Sequence, residues 1–406
     1  MGDILDINAP VHFNNDISTY ELHAHQTFGS SSFENSDGIR ISIQNQDLFI
    51  LPCKSYIHIS GKLCKEENKD VPIGISLVNN AMSFLFEEMR YELNGVLVDK
   101  SKNVGITTIK NYLSINSREN NENAGWLNGL EQMMLTDENG YFDLWIPLKM
   151  FFGFAADYQK IIVNAKHEII LVRSRSDLNS IVRDVATFQE EVKFDLKITK
   201  VEWLVPYVTL SNRNKMEMMK YIQKDPVISI GFRTWELYEY PLLPTTNHHI
   251  WTVKTSTQLE KPRYVILAFQ TNRKNVWHAD AARFDHCNIT NVKLYLNLQI
   301  FLYGNSNLDI SKNQFSLLYD MYANFSESYY GAKIDLISKN FFIHQSPLIV
   351  IDCSKQNELL KAGAVDVRLE FESKNNFPQG TAAYCLILHD NIIEYKPISG
   401  IVHKLS

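Results

Sequence analysis

The sequence predicts an all-β chain built as two tandem eight-stranded sandwiches, with short helices in the connecting loops. Three observations lead there. Apolar and polar residues alternate at period two along several stretches, the mark of strands with one buried and one wet face. Helical periodicity is short and scattered, with no series of long helices between strands, which argues against a doubly wound α/β fold. The chain also echoes itself at an offset of about 190 residues. At 406 residues it is too long for one ordinary core.

Taken in order, residues 1–35 are rich in Asn, Ser, His and Asp, with scattered apolar positions, and read as a flexible N-terminal arm. Alternation starts with Ile39, Ile41 and Ile43 and returns at Ile57 and Ile59. It recurs at Phe194, Leu196 and Ile198, and most regularly at Val365, Val367, Leu369 and Phe371. Turn signals separate the strands, among them Leu51-Pro52, Asn94-Gly95, Asn139-Gly140 and Pro378-Gln379-Gly380. Three short helices are predicted. Leu178, Ile181, Val182 and Val185 carry helical spacing behind Ser176 or Asp177, and Ile106, Ile109 and Leu113 form a second set. The third spans Lys215 to Gln223, after Ser211-Asn212 and before Asp225-Pro226.

The echo sets the domains. Ile41-Ser42-Ile43 matches Ile228-Ser229-Ile230, each opening a run that ends in Leu-Pro at Leu51-Pro52 and Leu243-Pro244. Glu92-Leu93-Asn94 matches Tyr295-Leu296-Asn297, and the stretch from Phe194 to Pro206 matches that from Tyr384 to Pro397. The predicted division is an arm at 1–35, a first sandwich at 36–210, a linker helix at 211–225 and a second sandwich at 226–406. Each copy has the size of eight strands plus long loops.

Composition narrows the function. A formal charge of -6 provides no basic field for nucleic acid, so sequence-specific nucleic-acid binding is not expected. The five cysteines (Cys53, Cys64, Cys287, Cys353, Cys385) are odd in number and lack CxxC spacing, and are expected to be buried free thiols in a protein made in the cytoplasm. Met1 to Pro10 lacks a secretion-signal pattern, and no apolar run reaches the ~20 residues of a membrane span. The sequons at Asn288 and Asn324 are therefore expected to be unused.

Candidate chemistry is sparse. His23 and His25 have the HxH spacing of metal-binding cupins, but the following segment has no acid until Glu34. Adjacent His248 and His249 face opposite sides of a strand, and so do the members of Glu87-Glu88 and Glu190-Glu191, so none of these pairs converges on an ion or a glycosidic bond. Nucleotide-binding and nucleophile-elbow motifs are missing. The tract Tyr319, Tyr322, Phe325, Tyr329, Tyr330 is a stacking platform in one reading and a packed loop or subunit contact in the other, and the second is preferred. No catalytic residue, cofactor or metal site is predicted, and the chain is not expected to be an enzyme.

Two stretches carry a resemblance. Residues 86–100, from Phe86-Glu87-Glu88-Met89 to Val98-Asp99-Lys100, resemble the strand pair before the first long loop of double jelly-roll major capsid proteins of DNA viruses. Phe142-Asp143-Leu144-Trp145-Ile146-Pro147-Leu148 resembles their apolar segment before the last strands of the first roll. The second half, through Arg233-Thr234-Trp235-Glu236-Leu237-Tyr238, Glu260-Lys261-Pro262-Arg263-Tyr264 and Leu318-Tyr319-Asp320-Met321-Tyr322, is similar to the Polinton- and adintovirus-like branch, whose relatives lie integrated in insect genomes. The resemblance runs from about residue 37 to the end. It implies two tandem eight-stranded jelly rolls (a double jelly roll) that form homotrimeric, pseudo-hexagonal capsomers of an icosahedral virion. It also implies penton and minor capsid proteins as partners, and leaves an internal membrane open. On this reading the long connections at 103–139 and 305–341 supply subunit contacts, through Trp126, Leu127, Tyr322, Phe325, Tyr329 and Tyr330, which a lone chain would leave partly exposed. The alternative is a two-domain jelly-roll carbohydrate-binding protein or hydrolase.

Overall fold

The computed structural model describes residues 16–27, 33–44, 49–65, 75–107, 109–112, 122–126, 135–183, 194–254, 262–276, 278–297, 299–301, 304–330, 337–355 and 365–405. Sixteen strands build two sandwiches. The first eight are β1 (Ile17–Gln26), β2 (Gly38–Gln44), β3 (Tyr56–Lys65), β4 (Phe86–Leu93), β5 (Val96–Lys102), β6 (Tyr141–Pro147), β7 (Lys166–Arg173) and β8 (Phe194–Leu210). The second eight are β9 (Ile228–Tyr240), β10 (His248–Lys254), β11 (Pro262–Thr271), β12 (Ile289–Leu296), β13 (Gln299–Phe301), β14 (Ile349–Asp352), β15 (Val367–Ser373) and β16 (Thr381–Tyr395). Short strands at Phe49–Ile50, Ile75–Leu77, Ile181–Arg183 and Val402–Leu405 lie outside this count. Four helices matter below: α1 (Gly153–Asp157), α2 (Asn212–Ile222), α3 (Ser316–Tyr330) and α4 (Lys339–Gln345).

The sheets run β1-β8-β3-β6 facing β2-β7-β4-β5, then β9-β16-β11-β14 facing β10-β15-β12-β13. Every strand of the second roll thus has the place of the strand eight earlier, and the fold is the double jelly roll expected. Alternation does the sorting. Strand β2 buries Ile39, Ile41 and Ile43 and exposes the residues between, and β15 does the same with Val367, Leu369 and Phe371. Their apolar faces meet those of the opposing sheets in one continuous core.

The topology corrects part of the sequence reading. Residues 17–26, expected within the flexible arm, pair antiparallel with residues 202–210 as the first strand of the first roll. They were missed because nine of their ten residues stay exposed, so the segment carries no buried-face signal. The Ile-Ser-Ile echo joined unlike strands: Ile41 lies in β2, the counterpart of β10, whereas Ile228 lies in β9, the counterpart of β1. An Ile-x-Ile triplet fits any half-buried strand. The other two echoes mark true counterparts. Leu93 ends β4 opposite His167, and Leu296 ends β12 opposite Val367; each is followed by an Asn turning at positive φ, 49° at Asn94 and 54° at Asn297. The stretches from Phe194 and from Tyr384 are β8 and β16.

Of the expected helices, the third is α2, which begins after extended Ser211 and ends before Asp225, itself at φ 45°. The second is found as two short helices, Val104–Thr107 and Ile109–Tyr112, while Leu113 lies outside the described residues. The first is replaced. Leu178–Ser180 make one 3-10 turn, and Ile181–Arg183 then form a strand on Ile75–Leu77. The β-branched pair Ile181-Val182 favours extension once a partner strand is at hand; Val185 lies outside the described residues. No helix among the described residues is long and apolar enough to cross a membrane.

Candidate assembly surfaces

The two rolls are joined by α1 lying against β9. Gly153 packs so closely that a Cβ there would stand 1.6 Å from the Arg233 carbonyl oxygen and 2.9 Å from the Trp235 ring, so no side chain fits without moving backbone. Phe154, fully buried, meets Phe232 edge-to-face at 5.4 Å. Asp157 accepts two bonds from the Arg233 guanidinium, at 2.9 and 2.6 Å, and a third from the Arg233 backbone N–H at 2.7 Å. The same guanidinium lies 3.6 Å over the Tyr329 ring. Asn94 Nδ2 donates to the Gly400 carbonyl at 2.8 Å, and the Tyr395 hydroxyl donates to the Val163 carbonyl. The joint is apolar at its centre and charge-paired at its rim, which suits a permanent contact.

Four of the six residues expected to leave apolar patches on a lone chain do not. Trp126, Tyr322, Phe325 and Tyr329 are 1%, 2%, 2% and 4% exposed within their own chain. Phe325 and Tyr329 stack at 4.9 Å, and Tyr264 meets Phe325 edge-on at 4.9 Å, which fastens α3 to the outer face of the second roll. Tyr322 packs 5.1 Å from Phe342 of α4, and its hydroxyl accepts from the Ile337 N–H at 3.2 Å. Segment 122–126 hangs on the first roll through the Trp145 N–H to the Asn123 carbonyl and the Asn80 N–H to the Gly125 carbonyl, both 2.9 Å. Leu127 and the Tyr330 side chain lie outside the described residues. The correction has a simple cause: the described parts of the long insertions pack back on their own roll and bury these four aromatics there. What the described residues of these segments show outward is polar or singly apolar, such as Leu317.

Other exposed apolar residues lie on β1 and α2. Ile17, Tyr20 and Leu22 on β1 are 46%, 53% and 42% exposed. Met216 and Tyr221 protrude from α2, whose Asn214, Met218 and Ile222 face inward. No sequence pattern marked β1, because a lone alternating stretch beside polar residues reads as a tail.

Polar clusters on the outer faces are hydrogen-bonded groups of modest reach. His58 lies 3.2 Å from Glu202 and 2.5 Å from Asp143, under the Trp145 ring at 5.5 Å. Burial pushes the Glu202 carboxyl up, but hydrogen bonds from Gln26, Lys200 and His58 outweigh that and hold it below its ordinary value. On the second roll His248 lies 3.3 Å from Glu370 and 3.9 Å from Glu372, and the Tyr295 hydroxyl donates to Glu370 at 2.9 Å. Donor atoms of His248, Glu370 and Glu372 lie within 4.8 Å of one another, close enough to share a cation. His249 turns inward and is buried, as the alternation requires. His23 and His25 flank the buried Tyr207 ring, and the Tyr207 hydroxyl and His25 Nε2 are 3.0 Å apart, so the HxH pair serves to seat β1. The five cysteines form no disulfide with one another; four are buried and Cys287 is half-buried.

A comparison with curated proteins returns no match by sequence. Solved structures match by shape. The Sputnik virophage structure superposes with a TM-score of 0.64 at 10% identity, covering 100% of this chain and 92% of that one. The capsid of the PBCV-1 virus gives 0.59 at 10% identity, covering 98% of each chain. The mavirus major capsid protein gives 0.57 at 11% identity, covering 99% of this chain and 92% of that one. At such identities the likeness speaks for the fold. A family model described as a double jelly roll-like domain matches residues 75–393, from the middle of the first roll to the last strand of the second. Strand order and sequence model agree, and the chain belongs to the double jelly roll-like domain family.

Proposed function

We propose that this chain is the structural, non-enzymatic major capsid protein of a DNA virus, forming homotrimeric, pseudo-hexagonal capsomers of an icosahedral shell. The observation that carries the reading is the repetition itself: two rolls of one strand order, locked side by side by α1 against β9. Three such chains around a threefold axis present six similar wedges, which tile six-coordinated positions of a closed shell. The likeness to the Sputnik, PBCV-1 and mavirus structures supports the same role. The division into a first roll to residue 210, a linker helix and a second roll from 226 belongs to this proposal. So do residence in the virion, penton and minor capsid proteins as partners, and the Polinton- and adintovirus-like lineage. The carbohydrate-binding alternative loses its best candidate platform, since Tyr322 and Tyr329 are buried. Light scattering on the purified protein is the test. Particles of three times 46.9 kDa, with a six-lobed outline in negative stain, are expected, and a stable monomer at micromolar concentration would overturn the proposal.

A further inference from the structure

The outer face of the second roll carries a cluster that shell formation does not use. His248 on β10 stands directly across from Glu372 on β15, and Ile250 stands across from Glu370. Residues two apart on a strand share a face, so His248, Glu370 and Glu372 lie on the outer side, while His249 and Phe371 between them are buried. One nitrogen serves both carboxylates: His248 Nε2 lies 3.3 Å from Glu370 Oε1 and 3.9 Å from Glu372 Oε1. A donor atom from each residue falls within 4.8 Å of the others. Tetrahedral zinc holds nitrogen and oxygen ligands at about 2.1 Å, which sets them about 3.4 Å apart. Small side-chain rotations bring this set onto one ion.

Two further observations set the cluster apart. Among the described residues, the imidazole is the only basic group in ion-pair range of Glu370 and Glu372. The Tyr295 hydroxyl donates to Glu370 Oε2 at 2.9 Å, which leaves Oε1 for the shared position. An outer hydrogen bond of this kind orients a ligating carboxylate. The Arg368 guanidinium, 4.2 Å over the Tyr295 ring, steadies that donor. The His58 cluster of the first roll is built otherwise. Glu202 meets its Nδ1 and Asp143 its Nε2, on opposite sides of the ring, and Lys200 already pairs with Glu202 at 3.0 Å. Those groups do not converge on one point.

We propose that His248, Glu370 and Glu372 form a binding site for a divalent transition metal, with zinc the best-fitting ion. One imidazole and two carboxylates suit zinc, whereas calcium takes ligand sets made of oxygen. The two carboxylates neutralise the ion, and water fills the fourth position on this exposed face. Because β10 is the outermost strand of its sheet, an ion held by β10 and β15 together clips that edge and favours the folded roll. The site lies within one chain and stands whether or not the chain forms capsomers.

Zinc chloride titrated calorimetrically into the metal-free full chain is the test. One zinc per chain is expected, with a melting temperature that rises with zinc and not with calcium. His248→Ala/Glu372→Gln should weaken uptake by more than roughly a hundredfold, while His58→Ala leaves it unchanged. Tyr295→Phe keeps all three ligands and should weaken uptake roughly tenfold. No uptake by the wild type, undiminished uptake by the double variant, or an equal response to calcium would overturn the site. Cobalt chloride added to the wild type keeps the test sharp should the double variant misfold. Visible bands of four-coordinate cobalt with nitrogen and oxygen ligands are expected, and a thiolate charge-transfer band, or no bands, would also overturn it.

Discussion

The two rolls share one strand order and fill it differently. Position for position, β7 of the first roll holds His167 opposite Leu93 and Arg173 opposite Phe86; β15 of the second holds Val367 opposite Leu296 and Ser373 opposite Ile289. His167 and Arg173 are 0% and 1% exposed. Arg173 donates to the Leu85 carbonyl at 2.7 Å, the Phe33 carbonyl at 3.2 Å, Asn35 Oδ1 at 3.1 Å and Asp177 Oδ1 at 2.9 Å, and so ties two loops to the sheet. Ser373 instead donates its hydroxyl to the Asn375 carbonyl at 2.5 Å, with the Asn247 carbonyl 3.5 Å away. The second roll closes its outer face with the aromatic ladder of α3; the first relies on buried polar hubs. Strand pairing and alternation set the topology, and quite different side-chain solutions then stabilise it.

Substitutions at paired positions break or sharpen that contrast. The largest effect is expected at Arg173. Arg173→Ala removes the donor from four acceptors and should cost roughly 3–5 kcal/mol in chemical denaturation, whereas Ser373→Ala should cost about 1 kcal/mol. Equal losses would show that the first roll does not depend on its polar hub. Next comes the joint: Asp157→Ala is expected to cost about 1.5–3 kcal/mol and to split one melting transition into two in calorimetry. A single undivided transition would mean the rolls are coupled by other contacts.

The third test is acid. Burial lowers the pKa of His167 from 6.5 to about 3, with the Tyr91 hydroxyl 2.6 Å from Nδ1. Below pH 6.5 the unfolded chain takes up a proton that the folded roll refuses, so stability is full above that pH. It falls by about 1.4 kcal/mol per pH unit towards pH 3. His167→Val, which copies the second roll, should flatten this slope, as followed by denaturation midpoints from pH 7 to pH 4. An unchanged slope would place the acid sensitivity elsewhere. The smallest effect is expected at exposed Met219 on α2, where Met219→Ser should stay within about 0.5 kcal/mol. A larger loss would mean that α2 packs more tightly than its exposure shows.

Much of the architecture was legible because strands of half-buried sheets write their alternation into the sequence, as β2 and β15 do. The Asn94-Gly95 turn was legible because few residues turn there without strain, and Asn297 was legible as the matching strand end. Strand β1 was not, since it buries little and looks like a tail. The 178–185 segment misled because Ile and Val at helical spacing also suit a short strand, and the choice lay with Ile75–Leu77, far off in the chain. The exposure of the insertion aromatics was misjudged for a related reason: aromatics in a long insertion announce burial without saying against what. Trp126 and Phe325 turn out to answer to their own roll.

In both rolls the last long strand made is a middle strand. β8 inserts between β1 and β3, and β16 between β9 and β11. While the chain is synthesised, β1 and β3 wait with open edges until residues 194–210 arrive, and the closing contacts span nearly the whole roll. Each roll therefore completes in one late step, the first before the second has its own closing strand. Ribosomal pausing between residues 65 and 194 would prolong the period in which unpaired edges meet other nascent chains, so translation speed across that stretch bears directly on the yield of folded protein.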